Sequence, residues 1–281
     1  QLTRKRGSMS LDNYKKVLNH LPNTVKTIHL YLSGEPYINR DLSPMVRETV
    51  QKGIETVVST NGTLVANSAD DIIRSGLPRM MIAGDGATAK VYEKYRIGGN
   101  FTNVVTAAQR ITSRKKELNS KTPEVEIQYL LMKENEHELE QTLQWARAIG
   151  ADYFKIISVS LGTHNIGADI RKRLASRFLP TRMQYSRYRL NEKGEPVSRL
   201  SEKYCGNWKT AVVYWNGDIG ACCFDHDAAY VYGNLVSESF NAVWFSPKHL
   251  LLMKQIVGRK LRICPTCNMS SGDENTRIHL H

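Results

Sequence analysis

Five β-rich runs alternate with helical segments across the first 159 residues, joined by connections of only a few residues. The runs cover 25–32, 54–59, 79–83, 125–132 and 153–159, with helices over 41–52, 68–74, 88–96, 101–118 and 137–149 between them. Strand-helix-strand repetition with short links predicts β/α units feeding a parallel sheet. Ser10 is placed to cap a first helix whose apolar face carries Tyr14, Val17, Leu18 and Leu21. Gly53, Gly76 and Gly150 follow three of the later helices, where a left-handed residue ends the turn. The pattern opens on a helix, so a further, first strand is expected upstream of Gln1.

In such sheets ligands gather at the carboxyl ends of the strands. Three polar clusters fall there: Ser33-Gly34-Glu35-Pro36, Ser59-Thr60-Asn61-Gly62 and Gly84-Asp85-Gly86. Each alone reads equally well as a solvated turn. Their shared position on one rim makes them candidate ligand-binding residues.

From residue 160 the pattern changes. Residues 160–204 read as a linker with an irregular helix, and 205–281 as a second, small unit. In that unit Trp215-Asn216-Gly217-Asp218 reads as the turn of a hairpin ending on Cys222-Cys223, followed by a helix over 238–257. All five cysteines lie there: Cys205, Cys222, Cys223, Cys264 and Cys267. An odd, sparse set disfavours a disulfide framework. Four of these thiolates suit either zinc or an iron–sulfur cluster, and the cysteines alone leave that choice open.

Composition excludes several classes. Hydrophobic residues make up 41% and charged residues 23%, as in ordinary globular chains. No apolar run approaches the roughly 18 residues that span a bilayer. Nothing reads as a signal peptide, and with the free thiols this predicts a cytoplasmic protein with no membrane partner. The net charge of +12 suits an anionic ligand or partner. It lacks the aromatic interleaving that would indicate nucleic acid.

Taken together, these motifs resemble those of the radical S-adenosylmethionine superfamily, in particular members with a C-terminal SPASM or twitch extension. Leu32-Ser33-Gly34-Glu35-Pro36 is similar to the family's G-G-E-P segment, Ser59-Thr60-Asn61-Gly62 to its S-T-N-G strand end, and Gly84-Asp85-Gly86 with Tyr92 and Arg96 to its D-G…Y…R segment. The resemblance implies a partial (β/α)6 barrel over 1–159 with a small hairpin-and-helix auxiliary-cluster domain over 205–281. It implies that Gly34, Glu35, Ser59, Asn61, Asp85 and Arg96 bind S-adenosyl-L-methionine, with the Arg96 fork on the cofactor carboxylate. Ala83 stands where the family often has Ser.

Cys205, eleven residues, Gly217, four residues and Cys222 match the opening of the SPASM pattern. Gly233-Asn234, Trp244 and Cys264-Pro265-Thr266-Cys267 continue it. Met269, Ser270, Ser271 and Asp273 then stand where the full pattern has more cysteines. The resemblance therefore implies one auxiliary [4Fe-4S] cluster on Cys205, Cys222, Cys264 and Cys267, as in the twitch form, over zinc.

The family's C-x-x-x-C-x-x-C segment, which holds the catalytic [4Fe-4S] cluster, is not in this sequence. It is expected on a segment upstream of Gln1, the alternative being a relative without the chemistry. Cys223 follows Cys222 directly, so its side chain points the opposite way on a strand. It is either a thiol packed beside the cluster or a hydrogen-atom donor for epimerisation. Asp225 and Asp227 are candidate bases for an oxidation, and His226 reads as a surface residue. The expected activity is hydrogen abstraction from a sugar, aminocyclitol or aminoglycoside, served by an electron donor such as flavodoxin or ferredoxin. A maturase of a ribosomal peptide and a non-catalytic iron–sulfur or zinc protein are the other two readings.

Overall fold

The computed structural model describes residues 3–161, 166–199, 205, 209–264, 267 and 276–281. Pro265, Thr266, Met269, Ser270, Ser271 and Asp273, and 162–165 and 200–204 of the expected linker, lie outside the described residues.

The chain begins with α1 (Leu11–His20), capped by the Ser10 hydroxyl on the Asn13 amide. Then come β1 (Thr27–His29), α2 (Leu42–Gln51), β2 (Glu55–Thr60), α3 (Ala69–Arg74) and β3 (Arg79–Ala83). After these follow α4 (Ala89–Tyr95), α5 (Phe101–Glu117), β4 (Glu124–Leu131), α6 (Leu139–Ala148) and β5 (Tyr153–Ser158). Strands β1 to β5 pair in chain order and in parallel, as the alternation predicts. The glycines expected to stop helices, Gly53, Gly76 and Gly150, all have positive φ.

Strand alternation divides the sheet into two unlike faces. Val58, Met80, Ile82, Val125, Ile127, Phe154 and Ile156 are buried against α2, α3, α5 and α6. Each such side chain contributes about 1.5–3 kcal/mol when fully removed from water. The other face is polar. A ladder of charge runs across it: Arg79 Nη2 lies 3.0 Å from Glu55 Oε1, and Arg79 Nε is 3.6 Å from Glu124 Oε2. Arg277 continues it, with Nη2 3.5 Å from Glu124 Oε2 and Nε donating to Glu126 Oε2 at 2.7 Å. A parallel sheet usually buries both faces in apolar contacts. This one keeps a polar face, as a ligand-holding sheet needs.

Beyond β5 the structure is more ordered than the sequence suggests. The stretch read as a linker holds α7 (Ala168–Phe178) and a hairpin of β6 (Tyr188–Leu190) with β7 (Pro196–Ser198). Ala175, Leu179 and Tyr188 pack on Met132, Val159 and Leu161 at the end of the sheet. Arginines hide the apolar period of α7, since only Ala175 of that helix is buried.

In the second unit β8 (Val212–Val213), β9 (Asp218–Gly220) and β10 (Val231–Asn234) form a three-stranded antiparallel sheet. The expected helix over 238–257 is two helices, α8 (Phe240–Trp244) and α9 (Pro247–Val257). Pro247 has no N–H to continue α8, and Ser246 caps α9 through the His249 amide. The chain then returns: β11 (Thr276–His279) pairs antiparallel with β5 and becomes the sixth strand of the main sheet.

Helix α1 joins the two units. Tyr14 and Leu18 pack on Met45 of α2, while Val17 packs on Ile219, Tyr232, Leu235 and Val243. His20 Nδ1 lies 2.9 Å from the Leu235 carbonyl. The segment before α1 runs along the small sheet, where Trp215 Nε1 donates to the Lys5 carbonyl at 3.1 Å and Arg4 Nε to the His226 carbonyl at 2.6 Å. Gly7 lies under the Trp215 ring, where a Cβ would fall 2.5 Å from Cδ2.

Candidate functional site

The structure brings all six residues expected to bind the cofactor onto one wall. A cavity of about 260 Å³ opens at the carboxyl ends of the strands. Gly34, Glu35, Ser59, Asn61, Asp85 and Arg96 line it, together with Tyr31, Leu32, Thr60, Ala83, Gln128 and Ile157.

Glu35 ties two of the loops together. Its carboxylate accepts from the Tyr37 amide at 3.1 Å, the Thr60 hydroxyl at 2.7 Å and the Asn61 amide at 2.8 Å. Gly34 precedes it at φ +95°, a conformation that favours glycine. Asn61 Oδ1 in turn accepts from the Thr63 amide and hydroxyl, fixing the turn after β2.

Asp85 is only 1% exposed. Its Oδ1 accepts from the Leu130 amide at 2.8 Å, and Arg96 Nε and Nη2 both lie 2.6 Å from its Oδ2. Burial pushes the Asp85 carboxyl above its ordinary pKa, against the pull of Arg96, while Asp85 holds the guanidinium charged. The sequence assigns Arg96 to an external carboxylate. In the structure its first partner is Asp85, and among the described residues one terminal nitrogen of the fork is left for a further anion.

Two residues that organise this loop escape the sequence reading. Asn135, 1% exposed, donates from Nδ2 to the carbonyls of Asp85 and Leu130 and accepts from the Met132 amide. Glu138 accepts from the amides of Ala87 and Thr88 and from the Thr88 hydroxyl. Both lie in the run Glu134-Asn135-Glu136-His137-Glu138, whose charged residues at the start of the helix expected over 137–149 give no sign of burial.

In the second unit Cys205, Cys222 and Cys264 pack around Ala221, Ile256, Leu261 and Ile263. The Cys267 amide donates to the Cys264 carbonyl at 3.0 Å, the tight turn expected of C-x-x-C. Burial pushes the Cys264 thiol up, and the nearby sulfurs of Cys267, Cys205 and Cys222 add to it. Among the described residues, no three His, Cys, Asp or Glu side chains meet at the spacing of a single bound ion. The four-sulfur donor set fits an iron–sulfur cluster.

Cys223 is a free, half-buried thiol beside Cys222 in sequence. Asp225 departs from expectation. It is 3% exposed, and its carboxylate accepts from the amides of Ala229 at 2.9 Å and Tyr230 at 2.8 Å. Turned into its own loop, it holds backbone and does not face the cavity as a base. Asp227 binds the Arg4 amide, and His226 Nδ1 lies 3.5 Å from the Ser33 hydroxyl, so this loop overhangs the cavity rim.

A parallel β/α sheet with a polar face, a rim cavity and a cysteine-bearing unit docked beside it defines a cofactor-dependent enzyme scaffold. The chain belongs to the radical SAM superfamily, whose profile matches residues 1–146, just over half of it. Residues 205–268 match the SPASM iron-sulfur cluster-binding domain. The family implies S-adenosylmethionine with a [4Fe-4S] cluster, and the second domain implies auxiliary iron–sulfur clusters.

An AdoMet-dependent heme synthase of Methanosarcina barkeri is 25% identical over 146 residues, 52% of this chain and 40% of that protein. The chain spans 24–41% of the lengths of this and three further curated relatives. BtrN in complex with AdoMet and 2-DOIA shares the fold at TM-score 0.56 and 17% identity, over 95% of this chain and 83% of that one. Native anSMEcpe with bound AdoMet does so at TM-score 0.60 and 15% identity, over 93% and 81%. Among the described residues no helix is long and apolar enough to cross a membrane.

Proposed function

We propose that the protein takes part in radical S-adenosylmethionine chemistry on a small polar molecule, a sugar, aminocyclitol or aminoglycoside, ending in epimerisation or oxidation. The observation that carries this reading is the convergence of Gly34, Glu35, Ser59, Asn61, Asp85 and Arg96 on one cavity. Bound S-adenosylmethionine supplies a carbon-centred radical able to take a hydrogen atom from an unactivated carbon.

The residues present fit that cofactor. The free end of the Arg96 fork suits its carboxylate, and the loop at Gly34 and Glu35 suits its ammonium. Asp85 keeps Arg96 in place, and Glu35 keeps the two loops in register. The catalytic cluster's thiolates are not among these residues, since all five cysteines lie from Cys205 onward. No step is assigned to that cluster. Cys205, Cys222, Cys264 and Cys267 would hold the auxiliary cluster. Cys223, next to the cluster residue Cys222, is the candidate hydrogen-atom donor for epimerisation. A flavodoxin or ferredoxin would supply electrons.

Calorimetry tests the binding half. S-adenosylmethionine should bind the chain and bind Arg96→Ala at least about tenfold more weakly, a loss of about 1.4 kcal/mol. Equal binding by both proteins would sink the assignment of this cavity. Turnover in deuterated water then separates the outcomes: epimerisation brings solvent deuterium into the product at unchanged connectivity, and oxidation does not.

A further inference from the structure

The oxidation outcome requires a proton to leave the substrate at the cavity, and the acids examined above are otherwise engaged. Asp225 and Asp227 bind backbone amides, Glu35 accepts three hydrogen bonds, and Asp85 is paired with Arg96 and the Leu130 amide. One cavity-lining group leads directly to a second titratable side chain. Tyr31 lines the wall, and its hydroxyl lies 3.0 Å from Nδ1 of His29. The two sit two residues apart on the same face of the β1 strand line, with rings edge-on at 5.4 Å.

We propose that Tyr31 and His29 form the proton-transfer pair of this cavity, Tyr31 touching the substrate as a catalytic residue and His29 acting behind it. This rests on the proposed function of the same site. An O–H or N–H bond of the occupant breaks and its proton joins Tyr31 Oη. The phenolic proton of Tyr31 moves to His29 Nδ1, leaving a neutral phenol and an imidazolium. No electron changes hands within the pair.

The surroundings suit each half. Partial burial pulls His29, which still reaches solvent, below its ordinary pKa and so favours the neutral ring as acceptor, while Glu55 favours and Arg79 opposes the imidazolium. Burial also raises Tyr31, with Glu126 and Cys223 adding to it and Arg79 opposing. A phenol alone is a poor base near neutral pH. Passing its proton on to an imidazole removes that barrier.

The test uses Tyr31→Phe and His29→Gln in the holoenzyme, together with NMR of ¹⁵N-histidine-labelled chain. Tyr31→Phe should keep S-adenosylmethionine affinity within about twofold while product formation falls roughly 10²-fold, the usual size of a lost acid–base group. His29→Gln should flatten the acid limb of the pH–rate profile. In the NMR titration His29 should move upward in Tyr31→Phe, because the phenol no longer donates to the neutral ring. A His29 titration unmoved by Tyr31→Phe overturns the pairing. Unchanged product formation, or lost cofactor affinity in that variant, overturns the catalytic role. Should the wild-type chain bind no S-adenosylmethionine, the proposed function fails, and the NMR arm still decides whether the pair exists.

Discussion

Arg96 closes on Asp85 with two nitrogens of its guanidinium on a single carboxylate oxygen, each at 2.6 Å, while the other oxygen takes the Leu130 amide. A buried carboxylate stripped of its cation costs roughly 3–5 kcal/mol, so Arg96→Ala should unfold at markedly lower urea. Arg96→Lys keeps the charge and loses the fork, so it should recover stability more than cofactor affinity. Equal recovery of both would mean that Arg96 serves the fold alone.

The two adjacent cysteines should separate cleanly. Cys222→Ser is expected to lower iron and sulfide per chain in anaerobically purified protein, and Cys264→Ser likewise. Cys223→Ala should leave both counts unchanged while stopping or rerouting turnover. Zinc in place of iron in the wild type would overturn the cluster assignment.

Asp225 offers a contrast between structure and chemistry. Each charged hydrogen bond to Ala229 or Tyr230 is worth about 1.5–3 kcal/mol, so Asp225→Ala should destabilise the second unit and weaken iron retention. An Asp225→Asn protein with native melting behaviour but no turnover would instead restore the base role.

Gly217 sits at φ +87°, where a Cβ would lie 2.4 Å from Val236 Cγ2 and 2.8 Å from Asn234 Oδ1. Gly217→Ala should therefore lose the hairpin, with roughly 1–3 kcal/mol from backbone strain alone before the clash is counted. Iron content and thermal midpoint should fall together. A stable Gly217→Ala protein would show that the turn has another conformation available.

His249 is buried between Tyr232 and Trp244, both ring centroids 4.3 Å away, with Nδ1 bonded to the Trp244 carbonyl. Burial lowers its pKa in the folded state. The unfolded chain then binds the proton first as pH falls, so this stabilisation is complete above the unfolded value, about 6.5, and shrinks below it. Urea midpoints between pH 7.5 and 5.5 should decline in the wild type and decline less in His249→Leu. Parallel slopes would remove His249 as the cause.

Much of this was legible because the signals are local. The first three parallel strands each end on a Gly-bearing polar turn, and that fixed Glu35, Asn61 and Asp85 on one rim. Ser246-Pro247, a cap followed by a residue without an N–H, marks the break between α8 and α9 that a single helix over 238–257 leaves out. What stayed hidden depends on distant partners. Nothing near Glu126 announces Arg277, which lies 151 residues away and arrives on a strand of four residues. Asn135 and Glu138 look solvated because burial comes from the Asp85 loop folding over them. Asp225 sits where a base would be useful, and only the Ala229 and Tyr230 amides show that it faces inward.

The cysteine-bearing unit is moored twice, by α1 with the segment before it and by β11 along the edge of β5. Drawing it away from the cavity would put at stake both the packing of Val17 on Ile219 and Tyr232 and the pairing of β11 with β5.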